Sequence, residues 1–489
     1  MVTFKSYHMA LKLRGVFKEN KMITWDEQTD VVVIGSGVAG CSAAIEARSA
    51  GASVIVFEKM KITGGNTRIS DGGLAAPGNR LQKEHGIEDS PELFYQDILK
   101  AGLNLNHRSL ARVFAEQGAE AVEWLQVELG VQYMDRLDRF GGHSVARCLT
   151  TSSHSGKDIV KAQTSRLKEM GVEIRTQCLL TNLLTDDNGN VCGVQIKTGY
   201  NHKAQGAKEQ KNIRADRAVI LATGGFGNDV PFRMLQNPNL DTTVTSTNQR
   251  GATAEGLSAA LKIGAVPVHL SWIQTGPWGC VDEVGYGSGS RFASYALYPN
   301  GILVDPSTGR RIVNEWADRR QRSMAIFKAG HPCVGIMDAQ GAGHDSQSLE
   351  KCLKTEKVYE FNNLADLATA CKISSDTLAS TVEAYNKMIR KGQTDQFGKS
   401  LKTAQLISSP PFFAMHLWPK VHYTPGGVGI NTDAQVIDVR NQPIPNLYAA
   451  GEVCGGIHGA DRLGSCALTE CIVFGRIAGR NAAAKRGGE

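Results

Sequence analysis

The run Asp30-Val31-Val32-Val33-Ile34, followed at once by Gly35-Ser36-Gly37-Val38-Ala39-Gly40, constrains this chain more than any other stretch. The first five residues are mostly β-branched and are closed by glycine, the pattern of a strand buried on both faces. A helical run, Cys41–Arg48, comes next, and then a second apolar strand, Ser53–Phe57, that stops at Glu58. Strand, glycine turn, helix and strand in that order form a βαβ unit with G-x-G-x-x-G in its turn. Gly35 permits the tight turn, Gly37 lets the backbone approach a pyrophosphate, and Gly40 lets the helix pack close to the strand. The helix N-terminus, with Val38 and Ala39, offers free N–H groups and a positive dipole end to phosphates. Glu58 stands at the end of the second strand, where an acid takes ribose hydroxyls. Together these residues predict a dinucleotide site.

Composition narrows the class. A chain of 489 residues is long enough for two to four domains. Lys+Arg is 54 against Asp+Glu 48, a net +6. Spread over this length, that excess points to no nucleic-acid partner and suits anionic small molecules. Eleven cysteines are scattered with no C-x-x-C pair. That argues against a disulfide framework, a structural zinc site and a c-type haem site, so no metal is expected and a reducing, cytoplasmic setting is. No stretch approaches the ~18 apolar residues of a membrane span. The basic first 25 residues lack the apolar core of a secretory signal, so residues 1–27 are read as an N-terminal extension.

Glycine is abundant, 53 residues, with no Gly-X-Y period, which directs attention to further phosphate-type turns. Lys59 leads into Thr63-Gly64-Gly65-Asn66-Thr67-Arg68, and Ser70-Asp71-Gly72-Gly73 follows. A second glycine-rich turn beside the first suits a long flavin cofactor. Ala218–Leu221 is another apolar strand, ending in Ala222-Thr223-Gly224-Gly225-Phe226-Gly227. Near the C-terminus, Asn446–Ala450 leads to Gly451-Glu452, followed by a helical stretch, Ala467–Ala484. One nucleotide fold therefore draws strands from both ends of the chain.

With these motifs, and with Asn314-Glu315 through Arg319, His422-Tyr423-Thr424-Pro425-Gly426-Gly427 and His458-Gly459-Ala460-Asp461-Arg462-Leu463-Gly464, the chain resembles a known family. It is similar, over about residues 28–486, to the flavoprotein subunits of fumarate reductase and succinate dehydrogenase. Their relatives include soluble fumarate reductases, urocanate-type enoate reductases, aspartate oxidase and ketosteroid dehydrogenases. The resemblance implies an α/β fold: a Rossmann-like FAD-binding domain, 28–276 with 419–489, into which an α+β capping domain, 277–418, is inserted. It implies FAD contacts from Gly35, Gly37, Val38, Ala39, Gly40, Glu58, Lys59, Gly64, Gly65, Asn66, Thr67, Ser70, Gly72 and Gly73. Further contacts are implied from Ala222, Thr223, Gly224, Gly427, Gly451, Glu452, Arg462, Ser465, Ala467 and Leu468, with Gly426 and Gly427 beside the isoalloxazine. Members with covalent FAD use a histidine near Gly65-Asn66-Thr67; Asn66 is not nucleophilic, so noncovalent FAD is expected.

Reduction of a polarised C=C requires a held carboxylate, a hydride from the flavin and a proton for the adjacent carbon. The resemblance gives Arg462 the carboxylate, as a guanidinium fork suits, His422 a hydrogen bond to it, and Arg319 the proton. An arginine acid needs desolvation and a second cation nearby, because its pKa normally exceeds ~12. The alternatives are an Arg462 salt bridge to Asp461 or Glu452, a buried His422 satisfied by backbone, and Arg320 or Arg322 in place of Arg319. Three departures stand out. Gly276 falls where fumarate reductases carry a histidine for the second carboxylate, and Ser294 and Leu297 fall where they carry a proton-relay glutamate and arginine. One carboxylate clamp survives, and Trp272, Trp278, Tyr295 and Tyr298 form either an aromatic wall or cap core.

The expected activity is therefore FAD-dependent hydride transfer at the C=C or CH–CH bond of a 2-enoate-type, carboxylate-bearing small molecule other than fumarate. A ketosteroid-type dehydrogenase and a flavin electron-transfer subunit with a partner are the alternatives. With no second intact G-x-G-x-x-G for a nicotinamide nucleotide, reducing equivalents are expected to pass to or from a separate donor or acceptor.

Overall fold

The computed structural model describes residues 23–204, 206–400 and 404–484. The βαβ unit is present as strand Glu27–Ile34, helix Val38–Ser49 and strand Val54–Phe57, with Val31 opposite Val54 and Ile34 opposite Phe57. On the other side of the first strand lies Glu209–Leu221, and beyond it Pro443–Ala449; Ile220 faces both Val33 and Tyr448. With Glu173–Arg175 outside Val54–Phe57, five strands run parallel. The inner runs Val31–Ile34, Val54–Phe57 and Ala218–Leu221 are apolar and buried on both faces, as a helix-covered parallel sheet requires. The early part of Glu209–Leu221 pairs instead with an antiparallel extension, Val191–Thr198 and Leu179–Thr185.

The C-terminal helix, Cys466–Ala483, lies against Val38–Ser49 at glycine positions. A Cβ at Gly475 would fall 2.5 Å from the Ala39 carbonyl oxygen, and one at Gly479 2.2 Å from that of Ala43. This close crossing ties the two ends of the chain into one apolar cluster, which includes Val33, Phe57, Ile220, Leu447 and Phe474.

A second sheet is antiparallel, in the order Arg310–Arg311, Ile302–Asp305, Cys333–Asp338, Phe412–Leu417, Tyr359–Phe361. Period-2 alternation splits its side chains between two clusters. Leu303, Cys333, Met337, Phe413 and Met415 join Trp278, Phe292 and Tyr298 in one. Ile302, Val304, Val334, Ile336 and Ala414 join Leu378, Val382 and Tyr385 in the other. The fold is thus the expected α/β one, a parallel nucleotide-type sheet into which an α+β unit is inserted.

The first strand begins three residues earlier than its apolar run. Asp26 N donates to the Asn212 carbonyl at 3.0 Å, and Asn212 N donates to the Asp26 carboxylate at 2.8 Å. The last residues assigned to the extension therefore belong to the sheet, while residues 1–22 lie outside the described residues. Among the described residues, no helix is long and apolar enough to cross a membrane.

Candidate active site

The first parallel strands and the N-terminus of Val38–Ser49 open onto a single large cavity, about 1870 Å³ including its mouth. Such a crevice at the carboxyl ends of parallel strands is where ligands of open α/β sheets sit. Gly35 is left-handed (φ 109°), and a Cβ there would lie 2.2 Å from the Ala222 carbonyl oxygen. Gly37 is different: its Cβ would meet only Thr67 Oγ1, at 3.8 Å. The space in front of Gly37 is therefore cavity rather than protein. Glu58 Oε2 accepts from Ser36 N (3.0 Å) and Ser36 Oγ (2.6 Å), and Oε1 from Met60 N (2.8 Å). A carboxylate has about four acceptor positions, so one remains for a ligand. Val38 N donates to Thr67 Oγ1 at 3.1 Å, which locks the second glycine turn to the first.

Arg319, His422 and Arg462 meet at the same cavity. Arg319 is the first residue of helix Arg319–Ala329, whose N-cap Asp318 accepts from Gln321 N at 2.8 Å. The segment before it is anchored by buried Glu315, which pairs with Arg311 (2.7 Å) and Lys399 (3.2 Å). Arg319 Nη1 donates to Gln274 Oε1 at 3.2 Å, and its guanidinium lies over the Trp278 ring, 4.5 Å from the centroid. Arg462 is buried over the Tyr423 ring at 4.5 Å. Its Nη1 donates to the Leu463 carbonyl at 2.8 Å, and its Nε has no hydrogen-bond partner among the described residues. Neither arginine forms an ion pair among the described residues. The alternative of a salt bridge from Arg462 to Asp461 or Glu452 is not what the geometry contains. Asp461 hydrogen-bonds the Gln274 amide instead, and Glu452 accepts from Thr424 N at 2.9 Å. His422 Nδ1 is bonded to Thr247 Oγ1 at 2.7 Å.

The charges follow from this packing. Loss of water, reinforced by the charge of Arg462, brings the Arg319 guanidinium down to about 9. Burial, with the charges of Arg319 and Arg462, holds His422 well below the usual imidazole range, so it is neutral near pH 7. Burial lifts Asp461 to about 6 and Glu470 to about 8.

The family model for an FAD binding domain matches residues 30–468. The chain belongs to this family of FAD-binding flavoproteins. It is 38% identical over 480 residues to the acrylate reductase flavoprotein subunit of Shewanella woodyi, covering 96% of this chain and 94% of that one. It is 37% identical over 469 residues to the urocanate reductase of Eggerthella lenta, covering 93% and 74%. Among solved structures, the open conformation of a flavocytochrome c3 fumarate reductase superposes with a TM-score of 0.76 at 33% identity, covering 94% and 78%. A 3-ketosteroid-Δ4-(5α)-dehydrogenase from Rhodococcus jostii RHA1 superposes equally well, at 0.76 and 23% identity, covering 96% and 99%, and shows the shared fold. This flavoprotein is an FAD-dependent oxidoreductase of the fumarate reductase-like kind.

The residues of the flavoprotein fit FAD. Gly35, Gly37, Val38, Ala39, Glu58 and Lys59 line the cavity, as do Gly65, Asn66, Thr67, Ser70 and Gly73. Ala222, Thr223, Gly224, Gly451, Glu452, Ser465, Ala467 and Leu468 complete that wall. Five expected contacts fall behind it. Gly40 packs against the Gly35 carbonyl, Gly64 against Val160, Gly72 against Thr151, Gly426 against the His269 carbonyl and Gly427 against that of Val453. At these five positions the space a side chain would need is taken by protein, so glycine is required by packing. The N-terminus of Cys466–Ala483 also reaches the cavity, and its dipole favours negative charge there.

The aromatic wall is only partly the expected one. Trp278 is on it, but Tyr295 bonds Asp71 (2.7 Å), Tyr298 bonds the Pro277 carbonyl (2.9 Å), and Trp272 sits at a separate shallow hollow. Tyr286 lines the cavity in their place. Arg322 and Ser294 line it too, whereas Leu297 is buried in the core of the inserted unit. Tyr286 and Gln274 had no distinguishing signal in sequence, because neither belongs to a motif whose chemistry names it.

Proposed function

We propose that the flavoprotein catalyses hydride transfer at the C=C or CH–CH bond of a 2-enoate that carries one carboxylate, with fumarate a poor substrate. Bound FAD supplies the hydride chemistry. The observation that carries this reading is that Arg319 and Arg462, with Arg322 beside them, line the cavity, none of them in an ion pair among the described residues. Desolvated guanidinium groups are costly unless a ligand brings the counter-charge. Arg462 holds the carboxylate, with neutral His422 beside it as a hydrogen-bond donor. Arg319, made more acidic by its surroundings, hands a proton to the carbon adjacent to the one receiving hydride. The 38% identical relative is an acrylate reductase subunit, and acrylate has a single carboxylate. A ketone substrate gives Arg462 no counter-charge, which disfavours the ketosteroid alternative.

We further propose noncovalent FAD, a cap spanning 277–418 that supplies Arg319, and a reducing, cytoplasmic setting with a separate electron donor or acceptor. The test is anaerobic. Chemically reduced holoenzyme is mixed with acrylate, other monocarboxylic 2-enoates, fumarate and a ketosteroid, and flavin reoxidation is followed by absorbance. Reoxidation by monocarboxylic enoates is expected; reoxidation by the ketosteroid alone, or by none of them, overturns the reading.

A further inference from the structure

We infer that Trp278 is the specificity-determining residue of this site: its indole fills the room that a side chain at position 276 needs, and so restricts the substrate to small enoates without a second anionic group. The inference rests on the proposed enoate reading and adds a residue and a mechanism of exclusion to it.

Gly276 ends the short strand Gln274–Gly276, which pairs with Lys420–Tyr423. A Cβ built on Gly276 would lie 2.8 Å from Trp278 Cε2, 2.9 Å from Cζ2 and 3.2 Å from Nε1. Real Cβ atoms do not approach ring carbons so closely, so the indole and any side chain at 276 exclude each other. Trp278 lines the cavity and Gly276 does not. The ring is also held from two other directions. The Arg319 guanidinium lies over it at 4.5 Å, and the His422 ring meets it edge-on, with centroids 5.1 Å apart and planes at 83°. Cation–π and edge-to-face contacts of this kind fix an aromatic ring in place. Only 4% of Trp278 is exposed.

Two consequences follow. The wall beside Arg319 is an aromatic hydrocarbon ring, whose only polar atom, Nε1, is neutral and has no partner among the described residues. The indole occupies the volume beside Arg319 in which a second carboxylate, or a side chain at 276 that would bind one, has to fit. The same ring also stabilises the Arg319 cation without a second acid. The site therefore takes a substrate with one carboxylate, held by Arg462 and His422, and with hydrogen or a small apolar group at the far end of the double bond.

The experiment uses oxidised holoenzyme titrated with acrylate and with fumarate, dissociation constants being read from perturbation of the flavin absorbance band. Reduced-flavin reoxidation by the same two acids is measured alongside. Wild type is expected to bind acrylate at least about tenfold more tightly than fumarate, the scale of one mismatched group in a shaped pocket. Trp278→Phe and Trp278→Ala should each narrow that ratio, the alanine variant more. Gly276→His alone should weaken both ligands, because its side chain collides with the indole. Gly276→His combined with Trp278→Ala should gain fumarate binding over either single variant. Flavin content and circular dichroism establish that each variant is folded; the phenylalanine variant keeps the test decisive where alanine is not tolerated. Equal wild-type affinity for both acids, an unchanged ratio in the folded Trp278 variants, or tighter fumarate binding by Gly276→His alone overturns the role of Trp278. Wild type that binds neither acid and reduces neither overturns the enoate reading, and the role of Trp278 with it.

Discussion

Arg319 and Arg462 line one cavity from distant parts of the chain, and the positive charge of Arg462 is the largest influence after burial on the acidity of Arg319. The charge of Arg462 makes that of Arg319 harder to keep, which is unfavourable in a resting fold and useful in a site that must bind an anion and release a proton. The Gln274 amide joins the two halves: its Oε1 accepts from Arg319, while its Nε2 donates to the Arg462 carbonyl at 2.7 Å.

Arg319→Lys keeps a positive charge but moves the proton and removes the fork. General acids contribute roughly 10²–10⁴-fold, so a loss of about that size is expected, mainly in kcat. In the wild type, Arg319 is brought down to about 9, so kcat/KM for reduction should fall as pH rises through that value and the acid loses its proton. A loss confined to KM would make Arg319 a clamp and move the proton donor elsewhere, with Arg322 and Tyr286 the next groups on the wall.

Arg462→Ala removes the charged partner of the substrate carboxylate. The expected cost is on the order of 2–5 kcal/mol, seen largely as a raised KM. Bound flavin should remain reducible in the variant. Unchanged KM would show that the carboxylate is held by other groups.

Gly37→Val and Gly35→Ala separate ligand space from protein space. The Gly37 Cβ has no protein atom within 3.8 Å, so Gly37→Val should fold normally and lose FAD. The Gly35 Cβ meets a carbonyl oxygen at 2.2 Å in a left-handed backbone, so Gly35→Ala should lower Tm whether or not FAD is present. Thermal unfolding with and without added FAD distinguishes the two outcomes.

Acid precipitation tests the cofactor linkage. Asn66 offers an amide, already hydrogen-bonded to Gln249 N at 2.9 Å and to Asn248, and no nucleophile. Yellow cofactor should appear in the supernatant; flavin retained in the pellet would contradict a noncovalent site.

Asp461→Asn should change how stability depends on pH. Burial raises the Asp461 carboxyl from 3.8 to about 6. A raised acid stabilises the fold at pH values below its unfolded pKa, and that contribution is lost as pH rises through about 6. The asparagine variant keeps an acceptor for Gln274 and has no such loss. Relative to wild type it should gain up to about 3 kcal/mol between pH 4 and pH 7, measured by denaturant unfolding at both values. A pH-independent difference would place the Asp461 pKa in the ordinary range.

Much of the cofactor end was legible in sequence because its chemistry is local. The turn Gly35–Gly40 and Glu58 belong to one contiguous βαβ unit whose register follows from its apolar period. A motif does not tell a glycine required by a ligand from one required by packing, as at Gly40, Gly64, Gly72 and Gly427, where a Cβ would meet protein. Trp272 and Trp278 illustrate the same limit at the other end. They share one short segment and one side-chain chemistry, yet only Trp278 reaches the cavity.

The sequence by itself determined the nucleotide fold and pointed to Arg319, His422 and Arg462 as the candidate site residues. The fold follows from a local βαβ pattern, and the three candidates follow from the resemblance of their motifs to the family's. Tertiary structure alone decided that the two arginines lack carboxylate partners, that Gln274 bridges them, that Tyr286 replaces Tyr295 and Tyr298 on the wall, and that Trp278 stands in the space beside Gly276. Those are facts about which side chains meet in space, whether 45 residues apart, as Gln274 and Arg319 are, or 188 apart, as Gln274 and Arg462 are. Such meetings are set by the packing of the parallel sheet's apolar core against the inserted sheet and its two clusters, and no local pattern encodes them.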